Sequence, residues 1–209
     1  MKKYAFGVDI GGTTCKIGFF ETSGKLIEKW EIKTNTQNSG ASILDDVVAA
    51  LKGKMAEQNL SLDDIQGVGV GVPGPVNNRG EVPYCDNLGW GFVPVEKVLS
   101  DKLDGMTVKA GNDANVAALG EMWQGGAKGY ENFVMVTLGT GVGGGVIMGG
   151  KIIAGAHGAG GEIGHMTMRA EDETSCACGR HGCLEQYGSA NGLARLAKKA
   201  LAKEHNETV

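Results

Sequence analysis

The sequence predicts an α/β fold built from two related halves, and three observations carry that expectation. Apolar runs of strand length alternate with runs at helical spacing, and the strand–turn–strand theme that opens the chain returns near its middle. The glycine excess, 36 of 209 residues, collects in the turns that join the strands. With 42% hydrophobic and 21% charged residues, the chain can bury a substantial core and reads as globular, in one or two domains.

The elements follow in order. Residues 4 to 10 and 15 to 20 read as two apolar strands separated by Gly11, Gly12, Thr13 and Thr14, and residues 26 to 33 as a third after the Ser23-Gly24 turn. Ile43, Leu44, Val47, Val48, Leu51 and Met55 repeat at helical spacing. Gln66 to Val72 is a buried-strand run, Val95 to Leu103 a short helix and Met106 to Ala110 another strand. After Asn112 the order begins again, with a helix over 114 to 123, a strand over 132 to 138, a glycine turn over 139 to 145, and strands over 145 to 149 and 151 to 154. AFGVDIGGTTCKIGFF and FVMVTLGTGVGGGVIM share one plan, which predicts two halves, 1–112 and 113–209, facing each other across a cleft. Leu193, Leu196, Ala197 and Leu201 predict an amphipathic helix over 186 to 201, with a polar tail to Val209. The second half is expected to be incomplete, since no further strands follow this helix.

A net charge of -4 and no dense Lys/Arg run give no general pull toward phosphate backbones or anionic lipid, so neither nucleic acid nor a membrane is an expected partner. The start, MKKYAFGVDIGG, reaches Asp9 too soon for a signal-peptide core. Five cysteines, three of them between residues 176 and 183, fit a reducing compartment and a metal site, so a cytoplasmic location is expected. Cys15 and Cys85 read as ordinary thiols, and Trp30, Trp90 and Trp123 as packing residues.

A Gly/Thr turn between strands can aim successive backbone N–H groups into one concavity, and glycine lets a phosphate come close to the chain. Both turns are therefore candidate phosphate cradles. Other readings of the glycines fail on context. Gly139, Gly141, Gly144 and Val146 match the protein-kinase glycine loop, but neither HRD nor DFG occurs. The same glycines, and Gly69, Gly71 and Gly74, match the dinucleotide fingerprint, but no helix follows either set. Gly145 to Lys151 approaches a P-loop, with Ile152 where Ser or Thr is required.

Cys176, Cys178 and Cys183 form C-x-C-x4-C, and with one histidine they supply the closed tetrahedral set of a structural zinc. Both His165 and His181 are available as the fourth ligand. Glu162 and Glu185 flank this cluster, so a metal there would pin both carboxylates without activating water. Asp113, between a strand and a helix, reads by itself as an N-cap.

Six blocks then occur in order: V-D-I-G-G-T-T-C-K at 8 to 16, G-V-P-G-P-V at 71 to 76, G-N-D-A-N-V-A-A at 111 to 118, L-G-T-G-V-G-G-G at 138 to 145, G-A-G-G-E-I-G-H at 158 to 165 and C-A-C-G-R-H-G-C-L-E at 176 to 185. Together they resemble the ROK family of repressors and sugar kinases, nearest its glucokinases. The resemblance implies the actin/hexokinase/Hsp70-like ATPase fold, with ATP and a sugar meeting in the cleft. It implies that Asp113 is the base toward the 6-hydroxyl of a hexose, glucose first, and that Asn112, Glu162, His165 and Glu185 hold the other hydroxyls. Asn87 would close the sugar pocket from the first half. Asp9 would place Mg²⁺, and Gly11, Gly12, Thr13, Thr14 and Lys16 would face the ATP phosphates together with Gly139, Thr140 and Gly141. The resemblance also points to His165 as the fourth ligand of a structural Zn²⁺ beside Cys176, Cys178 and Cys183. The family continues past this point into segments that hold adenosine, and the full-length protein is expected to be a homodimer. Rival readings are an N-acetylhexosamine or fructose kinase, a noncatalytic sugar-binding fragment, and a regulator of the same family. Such a regulator would carry a helix-turn-helix ahead of the first strand, which here begins at about Lys3.

Overall fold

The computed structural model describes residues 2–156 and 158–207. Strands β1 (Tyr4–Ile10), β2 (Thr14–Glu21) and β3 (Leu26–Lys33) form the expected antiparallel meander. A single turn, α1 (Gln37–Gly40), leads into α2 (Ile43–Glu57), and then come β4 (Ile65–Val72), α3 (Val95–Lys102) and β5 (Val108–Asn112). β4 and β5 add in parallel beside β1, giving the order β3-β2-β1-β4-β5.

Alternation explains this sheet. Phe6, Val8 and Ile10 of β1, with Cys15, Ile17 and Phe19 of β2, point to one face and are buried under Val47 and Leu51 of α2 and Leu99 of α3. Gly7, Asp9, Lys16 and Gly18 point the other way and line a cleft. Cys15 and Cys85 both belong to this core. Trp90 does too, its indole N–H donating to the Gly40 carbonyl at 3.1 Å. Trp123 departs from expectation, at 53% exposed.

α4 (Asp113–Gln124) leaves β5 without a linker and packs against both β4 and β7, spanning the two sheets. The second sheet is β6 (Phe133–Leu138), β7 (Val142–Met148) and β8 (Lys151–Ile152), in the order β6-β7-β8 and antiparallel throughout. β6 pairs only with β7 among the described residues. Val134, Val136 and Leu138, on one face of β6, are 58%, 51% and 70% exposed.

The glycines of the second hairpin correct the expected boundary. Only 139–141 form the turn, and Gly143, Gly144 and Gly145 lie inside β7. They are there for packing, since a Cβ on Gly145 would stand 2.5 Å from the Ala118 Cβ and one on Gly144 2.7 Å from the Gly161 carbonyl oxygen. The strand thus lies directly under α4 on one side and under the 158–162 loop on the other.

The C-terminal helix also differs from its expected bounds. It is split into α5 (Glu185–Gly188) and α6 (Ala190–Glu207), because the Ser189 hydroxyl accepts from the Gly192 N–H at 3.0 Å and starts a new helix. α6 extends past Leu201, and the polar tail at 208–209 lies outside the described residues. Its apolar stripe is not buried: Leu193 and Leu201 are 59% and 60% exposed. No helix among the described residues is long and apolar enough to cross a membrane.

Candidate active site

The two hairpins and α4 enclose a cleft of about 1810 Å³. Asp9 and Lys16 line it from the first sheet, Asn87 from the loop above, and Asn112 and Asp113 from the start of α4. Gly139, Thr140 and Gly141 line it from the second hairpin, with Glu162, His165, Cys178 and Glu185 beyond them. Gly11, Gly12, Thr13 and Thr14 are not part of this lining. They form the hairpin tip at its edge, where Gly12 and Thr13 are exposed.

Asp113 owes its position to the β5–α4 junction. The N-cap is not Asp113 but Asn112, whose side-chain oxygen accepts from the Asn115 N–H at 3.1 Å and whose amide donates to the Gly74 carbonyl at 3.3 Å. Asp113 therefore sits in the first turn with one carboxylate oxygen accepting from the Ala114 N–H at 2.7 Å. Burial pushes its carboxyl above the ordinary range, and Asp9, reaching toward it across Gly71, adds to the rise. A carboxylate with a raised pKa, not consumed by capping, has the properties of a general base.

Opposite it lies the short turn Ile163–His165. Burial also raises Glu162, with His165 opposing and Asp113 and Glu185 adding, so the charges of both other carboxylates reach Glu162. The Glu162 carboxylate stands 4.0 Å from His165 Nε2. Glu185 reaches the second glycine turn, its carboxylate accepting from the Val142 N–H at 3.0 Å. The Gly139 carbonyl, in turn, accepts from the Ala190 N–H at 2.9 Å, so this turn is held from α5 and α6.

Asn87 sits in the loop Cys85–Trp90, closed by paired backbone bonds of 2.9 and 3.0 Å. A Cβ on Gly12 would come within 3.2 Å of the Asn87 carbonyl oxygen, so this loop abuts the first hairpin tip.

The donor atoms of His165, Cys176, Cys178 and Cys183 all lie within 4.8 Å of one another. His165 Nδ1 is 3.5 Å from Cys176 Sγ, and Cys178 Sγ is 3.6 Å from Cys183 Sγ. Tetrahedral zinc with ordinary bond lengths needs sulfur–sulfur edges of about 3.8 Å and sulfur–nitrogen edges of about 3.5 Å, so the donor set fits. Hydrogen bonds from Arg180, first from its backbone N–H, pull the Cys178 thiol down to about 6, while burial pushes Cys183 up to about 11, so of these two thiols Cys178 gives up its proton first. All five cysteines are free. His181 stands outside the group, its Nδ1 donating to the Glu173 carbonyl at 3.1 Å.

The comparisons with known proteins follow the same outline. The family model described as "ROK family" matches residues 5–209. The chain belongs to the ROK family. A glucokinase of Halalkalibacterium halodurans is 43% identical over 207 residues, covering 99% of this chain and 62% of that protein. An N-acetyl-D-glucosamine kinase of Salmonella gallinarum is 35% identical over 201 residues, covering 91% of this chain and 64% of that protein. Among solved structures, the ROK glucokinase of Streptomyces griseus, in complex with glucose and AMPPNP, superposes with a TM-score of 0.78 at 35% identity, over 99% of this chain and 64% of that one. The chain thus spans about 62% of the length of its glucokinase relative, and its fold is the actin/hexokinase-like ATPase fold.

Some residues of this ROK chain's cleft escaped the sequence reading. Arg180 lines it and donates from its guanidinium to the His165 carbonyl at 2.8 Å, tying the cysteine loop to the His165 turn. Its place inside C-x-C-x4-C was a usable signal. Tyr84 lines it at 59% exposure, and nothing in its local sequence marked it.

Proposed function

We propose that this chain is the phosphate- and sugar-binding portion of an ATP-dependent hexose kinase acting on the 6-hydroxyl of glucose, organised as two units divided at 112/113. The observation that carries this reading is Asp113, a carboxylate of raised pKa, freed from capping by Asn112, which shares one cleft with Asp9, the second glycine turn and the side chains of Asn87, Glu162, His165 and Glu185. Phosphoryl transfer to an alcohol asks for little more than that: a base at the acceptor oxygen, and groups that hold donor and acceptor in line.

In this reading Asp113 accepts the proton of the 6-hydroxyl as that oxygen attacks the γ-phosphorus and ADP departs. Asn112, Glu162, Glu185 and His165 Nε2 hydrogen-bond the remaining hydroxyls, and Asn87 closes the pocket from the first half. Gly11, Gly12, Thr13, Thr14 and Lys16, with Gly139, Thr140 and Gly141, receive the phosphates. Mg²⁺, placed by Asp9 directly or through water, would neutralise phosphate charge. Zn²⁺ on Cys176, Cys178, Cys183 and His165 Nδ1 would fix the ring that presents Nε2 to the sugar. A cytosolic location accords with the cysteine usage.

The test is ADP release from MgATP with glucose, N-acetylglucosamine, N-acetylmannosamine and fructose, alongside calorimetry for each sugar. Glucose-dependent release supports the reading, and release with an N-acetylhexosamine alone would move the substrate. The partial coverage of the relatives favours a second reading, binding without turnover, which sugar binding with no ADP release would establish. Failure to bind any of these sugars would sink both.

A further inference from the structure

Thr34 follows β3 directly and is only 6% exposed, a buried hydroxyl that the sugar and metal chemistry leaves unused. Its side chain donates to the Gly11 carbonyl at 2.6 Å, and its backbone N–H donates to the Thr13 carbonyl at 3.0 Å. Behind it, Cys15 Sγ lies 3.4 Å from the Thr34 hydroxyl oxygen. Because the Thr34 proton is committed to Gly11, the Cys15 thiol is the donor of that pair. Burial holds Cys15 above the usual thiol range, which keeps it protonated for this purpose.

The consequence follows from peptide planarity. In a trans peptide the C=O and the next N–H point in opposite directions. Drawing the Gly11 and Thr13 carbonyls back onto Thr34 therefore turns the Gly12 and Thr14 N–H groups away from it. The Gly11 carbonyl is also the group that would accept from Thr14 N–H in a closed two-residue hairpin. Only the reverse bond, Gly11 N–H to the Thr14 carbonyl, is made, at 3.0 Å.

We infer that Thr34 is a positioning residue for nucleotide phosphate, holding the first hairpin tip open so that the Gly12 and Thr14 amides remain available as anion donors. The inference rests on the phosphate role proposed above for this turn and adds the residue that sets its geometry. It predicts a defect mainly in nucleotide binding: among the described residues Thr34 hydrogen-bonds only Gly11, Thr13 and Cys15, and it does not line the cleft.

The experiment compares the wild-type chain with Thr34→Val and Thr34→Ser, measuring MgATP and glucose binding by calorimetry and amide hydrogen exchange over 11–14. Valine keeps the shape and removes the donor, leaving a buried carbonyl unpaired, so MgATP should bind roughly 5- to 30-fold more weakly. Glucose affinity should stay within twofold and serine should restore nucleotide binding. Should the valine variant fail to fold, Thr34→Ala is measured in its place with the same expected loss, and in the wild-type chain the Gly12 and Thr14 amides must gain protection on adding MgATP. MgATP affinity within twofold of wild type in Thr34→Val would overturn the inference while leaving the phosphate reading intact, whereas unchanged wild-type amides would remove the first turn from that reading and the inference with it. No MgATP binding by the wild-type chain would remove that reading and the inference together.

Discussion

Replacing Asp113 by Asn separates a catalytic carboxylate from a structural one, because the local structure sets opposite expectations for stability and for turnover. The substituted side chain keeps an oxygen to accept from the Ala114 N–H, which the carboxylate now receives at 2.7 Å, and the cap itself belongs to Asn112. A negative charge in the first turn of a helix gains about 0.3–1 kcal/mol from the helix dipole. Burial and Asp9 act against that charge and prevail, as the raised pKa of Asp113 records. In the window between the unfolded carboxyl value, about 3.9, and the higher folded value, the native state holds the proton more tightly, so wild-type stability falls as pH rises through it. The Asn variant should match wild type below that window, overtake it through the window and keep the advantage at pH 7. Thermal melts from pH 4 to 8 measure this. Glucose-dependent ADP release should fall by about 10²–10⁴-fold, equivalent to about 3–5 kcal/mol of transition-state stabilisation, with glucose affinity changed far less. Turnover close to wild type, or a stability loss at pH 7, would refute the assignment and move the search for a base to Glu162 or Glu185.

Four further outcomes can be checked directly. Elemental analysis of protein prepared without chelator should find one zinc per chain, and chelation should increase hydrogen exchange across 165–185 while leaving the first sheet unchanged. Gly145→Ala places a methyl 2.5 Å from the Ala118 Cβ, and denaturant melts should show a loss of about 1–3 kcal/mol as α4 is pushed off β7. Asn112→Ala removes the cap of α4 and should cost about 0.5–2 kcal/mol in the same assay. Asp172, held well below the usual carboxylate range by Thr174 and Tyr187, contributes stability that is present above about pH 4 and lost as pH falls toward its folded value. Tyr187→Phe should flatten that acid limb of the stability profile.

Periodicity made the first half legible because its strands bury one face completely. The alternation of Phe6, Val8 and Ile10 against Gly7 and Asp9 states both the core and the cleft. The cysteine cluster was legible because four donors within a short span have few other uses. The β5–α4 junction was not, because two adjacent residues, Asn112 and Asp113, can each cap a helix, and only the backbone turn decides which one does. The glycines at 143–145 looked like a loop since glycine is the usual residue of turns, yet here it answers to a helix lying close overhead. Thr34 gave no signal at all. Its partners, Gly11 and Thr13, are brought to it by the pairing of β2 with β3, and a long-range backbone contact leaves no local pattern in the chain.

Among the described residues β6 is paired on one side only, which bears on how this 209-residue chain behaves in a tube. An open strand edge offers a row of backbone donors and acceptors, and on β6 that row is flanked by Val134, Val136 and Leu138, which face solvent. Such an edge is a template for another copy of itself, and no Pro, Lys or Glu within the strand guards it. Colloidal behaviour should therefore turn on this one strand: light scattering should rise with concentration, and a lysine at Val136 should suppress it without touching the cleft.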